Sequence, residues 1–349
     1  MKLMTRQLII ALLALVLGAP AVFSAPQGKV AVYGVAFYNL ENLFDTINNN
    51  GNYDLEFSSN GARQWDGRKY RAKLNNLARA IAAMTTETTP MGPAIIGVSE
   101  IENKSVLDDL VREPAIRKNM FQVVHHDSPD RRGVDVGLLY NPRLFKVLNV
   151  TNHTLKIDGY ESFRTRDQMC VTGLLGGQKI SVIVNHWPSR IGGQERSSYL
   201  REAAAELCKH IADSVWAEDP NQAVVIMGDL NDDPQDKSCA QVLDAKKNAD
   251  KVNPHGFYNP WWKMLDKGIG TLAYKGSWNL FDQIIVSGTM LKGNNTPSGL
   301  EYWKCKVNNF EFLRQDNSDQ PLRTFSAGMW LNGYSDHFPT EIFLIKYVN

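Results

Sequence analysis

Apolar runs in this chain repeatedly end in the same few kinds of polar residue. Asn39 follows "VAFY", Glu100 follows "IIGVS" and His186 follows "SVIVN". Asp229 and Asn231 follow "VVIMG", Asp282 interrupts "NLFDQII", and Asp336 and His337 come just before the last apolar run, "IFLI". A single carboxylate at a strand end is commonly no more than the first solvated residue. Repeated along the chain, these residues make a set of hard oxygen donors and imidazoles. Such a set suits a divalent cation and water attack on a phosphate ester. The chain carries no nucleophilic Ser or Cys motif and no Gly-rich loop of the kind that grips phosphate.

The elements that must hold these residues alternate between strand and helix. Strand-like runs cover Lys29–Leu40, Ala94–Glu100, Phe121–His126, Val134–Tyr140, Lys179–Trp187, Ala223–Leu230 and Asn279–Ser287, with a last one at Glu341–Ile345. Between Arg68 and Met84, the residues Tyr70, Leu74, Leu77, Ala78, Ile81 and Met84 recur at helical spacing. A second helix carries Leu200, Ala203, Ala204, Leu207, Ile211 and Val215 on one face. The polar stretch Asn48–Gly61 reads as a loop insertion. The piece Val252–Gly270 is irregular and aromatic, and its Trp261 and Trp262 either stack on a ligand or pack a surface lobe. No internal repeat or Pro/Ser-rich linker divides the chain, so a single α/β domain is expected.

Residues 1–24 have the layout of a secretory signal peptide: Lys2 and Arg6, an apolar run from Leu8 to Leu17, then Gly18, Pro20 and small residues up to Ser24. That run is shorter than the ~20 residues a membrane span requires. The expected mature domain is 25–349, exported to the periplasm or the medium. Loss of Lys2 and Arg6, with no acid in the segment, takes the formal charge from +1 to −1. A nearly neutral chain provides no bulk attraction to nucleic acid. Cys170, Cys208, Cys239 and Cys305 permit up to two disulfides in an exported protein, or stand as isolated buried thiols.

Seven blocks occur in a recognisable order: "FYNLENLFD" (Phe37–Asp45), "VSEIEN" (Val98–Asn103), "RRGVDVGLLY" (Arg131–Tyr140), "VNHWPSR" (Val184–Arg190), "GDLND" (Gly228–Asp232), "FDQIIVS" (Phe281–Ser287) and "SDHFP" (Ser335–Pro339). In this the chain resembles the endonuclease/exonuclease/phosphatase superfamily, from about Val30 to Tyr347. The resemblance implies a four-layer α/β sandwich, two packed mixed β-sheets flanked by helices, with a site at one end of the sheets.

Residue by residue, it implies that Glu100 is the main ligand of Mg²⁺ (Mn²⁺ the alternative), with Asn39 beside it and Asp336 close by. His337 becomes the general base or a donor to a phosphoryl oxygen, oriented by Asp282, and His186 the second histidine facing phosphate. Asp229 aligns or deprotonates the attacking water, and the Asn231 amide donates to phosphate. Asp135 stands where some members carry an acidic partner for the second histidine. Glu41 and Glu102 lie two residues beyond Asn39 and Glu100 and so share their faces if the strands continue. Arg131 and Arg132, in a "SPDRRG" turn, are expected to be solvated, with phosphate binding the alternative.

The implied activity is metal-dependent hydrolysis of a phosphodiester substrate, nuclease-like, with nucleic acid or a phospholipid head group as the partner. A phospholipid or sugar-phosphate esterase of the same fold is the alternative. The Arg of the inositol phosphatases' block is replaced here by Gln283, which argues against that specificity. A catalytically inactive binding module, presenting the aromatic Phe257–Trp262 segment, is the reading from a different class.

Overall fold

The structure is a computed structural model that describes residues 22–25, 28–47, 56–292 and 298–348. The first sheet is built on β2 (Gly28–Leu43), which lies between antiparallel β18 (Thr340–Val348) and parallel β3 (Ile95–Ile101). Beyond β3 come β5 (Asp135–Tyr140) and β4 (Gln122–His125), and beyond β18 comes β15 (Glu301–Val307). Each of these is antiparallel to its neighbour. A short β1 (Val22–Ala25) pairs antiparallel with the start of β2. The remainder of the expected leader, residues 1–21, lies outside the described residues.

The second sheet repeats this plan. Its β9 (Ala223–Asp229) lies between antiparallel β14 (Asp282–Ser287) and parallel β8 (Gln178–His186), followed by antiparallel β7 (Gln168–Leu175) and β6 (Phe145–His153). On the other side, β11 (Phe257–Tyr258) and β10 (Ala245–Lys246) extend it. Two small hairpins, β12 (Leu272–Tyr274) with β13 (Ser277–Asn279) and β16 (Phe325–Ser326) with β17 (Met329–Trp330), stand apart.

The period-two alternation of the strands sorts their side chains between layers. Val35 and Phe37 of β2 join Val225 and Met227 of β9 in the apolar layer between the sheets. Their neighbours Ala36 and Tyr38 face outward onto α1 (Gly67–Ala83) and α2 (Lys104–Arg112), meeting Leu74, Leu77, Val106 and Leu110. Val224 and Ile226 face the opposite way onto α3 (Gln194–Glu218), where Ala204, Cys208, Ile211 and Trp216 cover them. Two mixed sheets with helices outside give the four layers expected. Asp66 caps α1 by accepting from the Lys69 N–H at 2.8 Å, and Asn103 caps α2 by accepting from Val106 at 3.2 Å.

The aromatic stretch departs from its expected irregularity. It contains β11 and the short helix α4 (Trp262–Leu265), and Phe257, Tyr258 and Trp261 are buried in the main apolar layers. Trp261 donates its indole N–H to the Ile284 carbonyl at 2.9 Å, so it packs the fold and is closed to a ligand. All four cysteines are free thiols, three of them buried.

Candidate active site

The two parallel strand pairs bring their carboxyl ends to one edge of the sandwich, and their antiparallel partners begin there. Asn39, Glu100, His186 and Asp229 sit at or near the ends of β2, β3, β8 and β9. Asp135 and Asp282 open β5 and β14, and His337 precedes β18. The register shifts between Asn39 and Leu43 and between Ser99 and Ile101 are irregularities that re-aim the side chains they carry. Glu41, Asn42, Glu100 and Asn231 all hold left-handed backbone, with φ of 47°, 54°, 59° and 50°. Non-glycine residues in that region each cost roughly 1–3 kcal/mol, and such strain concentrates at working sites. Gly228, at φ 158°, lets β9 approach β8 so closely that a Cβ there would collide with the Asn185 carbonyl.

His337 Nδ1 is 2.7 Å from Asp282 Oδ2, and both residues are buried. The Ser335 hydroxyl fixes the loop by accepting from the His337 N–H at 3.1 Å and donating to the Asn39 carbonyl at 2.6 Å. His337 Nε2 turns the other way, 3.9 Å from Asp229 Oδ2 and 3.8 Å from Asp336 Oδ1. Burial alone would lower the imidazole pKa, but the Asp282 and Asp229 carboxylates outweigh it and hold His337 well above its ordinary value. Burial, helped by Asp282 and Glu100 and opposed by His337, pushes Asp229 up to about 6. The Asn39 amide donates to Asp229 Oδ2 at 3.0 Å, and the Asn231 N–H donates to Oδ1 at 3.0 Å.

His186 faces the same point from the other side. Its Nε2 is 3.7 Å from Asp229 Oδ2 and 3.8 Å from Glu100 Oε1, and its Nδ1 is buried without a hydrogen-bond partner. Burial, then the charges of Arg166, Arg132 and His337, hold His186 well below its ordinary pKa, so it is neutral. Arg166 packs behind it, donating to the His186 carbonyl at 3.1 Å and to the Trp187 carbonyl at 2.6 Å, and pairs with Asp130 at 3.1 Å.

Glu100 accepts the Asn42 N–H at 3.1 Å and pairs with Arg132 at 3.2 Å. Burial would raise its pKa, but Arg132 and His337 overcome that and keep it below the ordinary carboxylate value. Arg132 also donates to Asn42 Oδ1 at 2.9 Å. It is therefore part of the site, where sequence reading placed it in solvent. The signal lay in the next residues: Gly133 allows the turn that carries the guanidinium back toward β3.

Several expected residues stand elsewhere or do other work. Asp135 is bound to His125 Nε2 at 3.0 Å and to the N–H and hydroxyl of Ser128, and is not bonded to His186; the pairing of β4 with β5 places His125 beside it. The Asn231 amide donates to the Trp187 carbonyl at 3.0 Å. Asp336 binds Arg323 at 2.7 Å at the partly open rim. Glu102 accepts the Asp45 N–H at 2.8 Å, and Glu41 accepts the Thr324 N–H at 2.6 Å while lying 3.8 Å from buried Lys73, so both brace loops.

The donor chemistry fits a hard divalent cation. Glu100 is kept ionised, the amide oxygen of Asn39 lies on the adjacent strand, Asp336 is at the rim, and no thiol is present in the cluster. Among the described residues, Asp229, Asp282 and His337 also form an acidic group whose ligand atoms lie within 4.8 Å of one another.

Residues 34–346 match the model of the Endonuclease/Exonuclease/phosphatase family. No curated protein matches the sequence. Among solved structures, a humanized D. rerio TDP2 carrying 14 mutations superposes with a TM-score of 0.54 at 13% identity, over 90% of this chain and 98% of that one. D. rerio TDP2 complexed with a single-strand DNA product superposes at 0.53 and 13%, over 90% and 98%. The Bacteroides thetaiotaomicron VPI-5482 mannosyl-6-phosphatase superposes at 0.53 and 16%, over 89% and 99%. With nearly the whole described fold matched, this chain belongs to the endonuclease/exonuclease/phosphatase family of hydrolases acting on phosphoester bonds.

Proposed function

We propose that the protein is an exported, divalent-metal-dependent phosphoesterase that cleaves its substrate by direct attack of water. The observation that carries this reading is the convergence of three polar pairs at the sheet edge. His186 Nε2 to Glu100, His186 Nε2 to Asp229 and His337 Nε2 to Asp229 are 3.8, 3.7 and 3.9 Å apart. Those separations exceed a hydrogen bond, yet a water placed between each pair bridges it, and a phosphoryl oxygen accepts from the histidine side.

Acid and base are separated by environment, as catalytic pairs require. Asp229, pushed up to about 6, is the acceptor for the proton of the attacking water. His337, held cationic by Asp282 and Asp229, donates from Nε2 to a phosphoryl oxygen as charge grows there. Neutral His186 supports the same oxygens from the other side. The new P–O bond forms to water as Asp229 takes its proton, and the ester P–O bond breaks with its electron pair going to the leaving oxygen. That oxygen takes a proton from solvent while Asp229 returns its own to solvent. Glu100, with Asn39 and Asp336, would hold Mg²⁺ or Mn²⁺, which supplies charge stabilisation at the phosphoryl and leaving oxygens.

The nuclease-like diester reading is supported by the fold shared with TDP2 held with its DNA product, and the sugar-phosphate reading by the fold shared with the mannosyl-6-phosphatase. Hydrolysis of bis-p-nitrophenyl phosphate and p-nitrophenyl phosphate, with Mg²⁺ or with excess EDTA, tests the reaction. Turnover that requires both metal and His337 is expected. Undiminished turnover in EDTA, or in His337→Ala, would overturn the reading. Export is tested by fractionation and by the N-terminus of the recovered protein, expected at Ala25.

A further inference from the structure

Beside the catalytic edge lies a cleft of about 290 Å³. Asp336, the neighbour of His337, forms one wall; Glu41 and Asn42 form another, and the Asn42 N–H is the donor to Glu100. A phosphoryl group at Glu100 and His337 therefore directs one of its substituents into this space. The volume matches a group about the size of one sugar ring.

The wall chemistry selects among substituents. A second phosphate needs cations with charge to spare, but both arginines of the cleft are already paired. Arg323 lies 2.7 Å from Asp336 and 3.5 Å from Glu41, and Arg63 lies 2.7 Å from Glu56. A nucleobase needs an open aromatic face. Phe325 is buried, with the Arg63 guanidinium over its ring at 5.0 Å, and Phe57 stacks on Phe44 at 4.6 Å. An acyl chain needs an apolar wall, and carboxylates, guanidinia and the Ser326 hydroxyl fill that position. What remains is a dense, charge-balanced array of donors beside acceptors. Vicinal hydroxyls, each of which both donates and accepts, match it.

The array is also held rigid. Glu41 accepts the Thr324 N–H, and buried Lys73 donates to the Thr324 hydroxyl at 2.5 Å and to the Tyr334 carbonyl at 2.7 Å. The β16–β17 hairpin at the rim turns through Ala327 and Gly328, both at positive φ, as a tight two-residue turn requires. Preorganised polar walls discriminate by leaving their groups unpaired when a substrate lacks the matching hydroxyls.

The geometry points to a hydroxyl-rich substituent: the cleft is the subsite for the sugar or polyol part of a phosphoester. This rests on the phosphoesterase reading of the adjoining site and adds the substrate class to it. The test compares glucose 6-phosphate, p-nitrophenyl phosphate, a thymidine dinucleotide and glycerophosphocholine on the metal-loaded wild-type enzyme, Ser326→Leu and Arg63→Met. Glucose 6-phosphate is expected to have the highest kcat/KM, at least about tenfold above p-nitrophenyl phosphate. Ser326→Leu, which fills the cleft, is expected to raise KM for the sugar phosphate by a similar factor and to raise that for p-nitrophenyl phosphate, which has no hydroxyls to lose, by much less. Arg63→Met is expected to act in the same direction.

Better turnover of the dinucleotide or of glycerophosphocholine would overturn the proposal, as would equal losses on every substrate in Ser326→Leu. Calorimetric binding of glucose 6-phosphate to metal-loaded His337→Ala keeps the two readings apart. Saturable binding that Ser326→Leu weakens sustains the subsite even if turnover fails, and absence of binding removes it.

Discussion

The Nδ1 atom of His337 is 2.7 Å from Asp282, which leaves Nε2 as the nitrogen directed to the catalytic edge. Because Asp282 is fully buried at the start of β14, the ring is fixed by the sheet itself. His337→Ala is expected to fold normally and to lose about 10²–10⁴ in kcat, the usual worth of acid–base assistance. Circular dichroism checks the fold and single-turnover hydrolysis checks the chemistry. A rise in KM with kcat intact would mean that His337 only holds substrate.

Glu100 is the residue on which cation binding should depend most. Its carboxylate is held ionised by Arg132, so it is ready for a cation at neutral pH. Glu100→Gln is expected to weaken Mg²⁺ binding by more than the ~10–100-fold that loss of an outer-shell partner costs. Calorimetry with Mg²⁺ and Mn²⁺ reads this directly, without any substrate. Unchanged affinity would move the metal to the Asp229, Asp282 and His337 group.

Lys73 carries its amine fully inside the protein, bonded to Thr324 and Tyr334 and 3.8 Å from Glu41. Lys73→Met leaves Glu41 as a buried charge without its cation and two oxygens without a donor. A loss of about 3–5 kcal/mol is expected, as when one partner of a buried pair is removed. Urea unfolding measures it, and a shift under about 1 kcal/mol would show that Glu41 is satisfied by the Thr324 N–H and Arg323 alone.

Glu341, the second residue of β18, gives a prediction about pH. It is fully buried; one of its oxygens has no partner, and a Cβ on Gly34 would lie 2.5 Å from that oxygen, so the glycine makes room for it. Burial pushes its carboxyl up to about 8 from 4.5. The folded chain therefore keeps a proton that the unfolded chain releases. Stability from this group is full below pH 4.5 and is lost as the pH rises toward 8, at a slope of about 1.4 kcal/mol per pH unit. Glu341→Gln carries no such proton, so its melting temperature is expected to gain on that of the wild type steadily across that interval. Parallel Tm curves would refute it.

The central strands were legible because buried strands leave long apolar runs, and the candidate site residues stood out because they interrupt those runs at their ends. The β6, β7 and β15 strands were not anticipated. In β6 and β15, Lys, Asn or Glu alternates with apolar residues at half-exposed sheet margins, so no continuous run marks them. Helix α2 was missed for its brevity. Arg323 escaped, and Arg132 was expected in solvent with phosphate binding only the alternative, for a different reason: long side chains reach the site from loops, and a loop's path is set by contacts distant in sequence. Asp135 shows the converse error, since a residue in the expected block can still be claimed by a neighbouring strand's His125.

The close approach of the two sheets also acts as a caliper. Gly97 of β3 lies so near Met227 of β9 that a methyl on it would meet the sulfur. Two residues farther along β9 stands Asp229, and three farther along β3 stands Glu100. The gap between these two carboxylates is thus ruled by the thickness of an apolar layer that carries none of the candidate site's polar atoms. A single carbon added deep in the hydrocarbon interior, at Gly97, would therefore be felt at the candidate site as a change in the reach between Asp229 and Glu100.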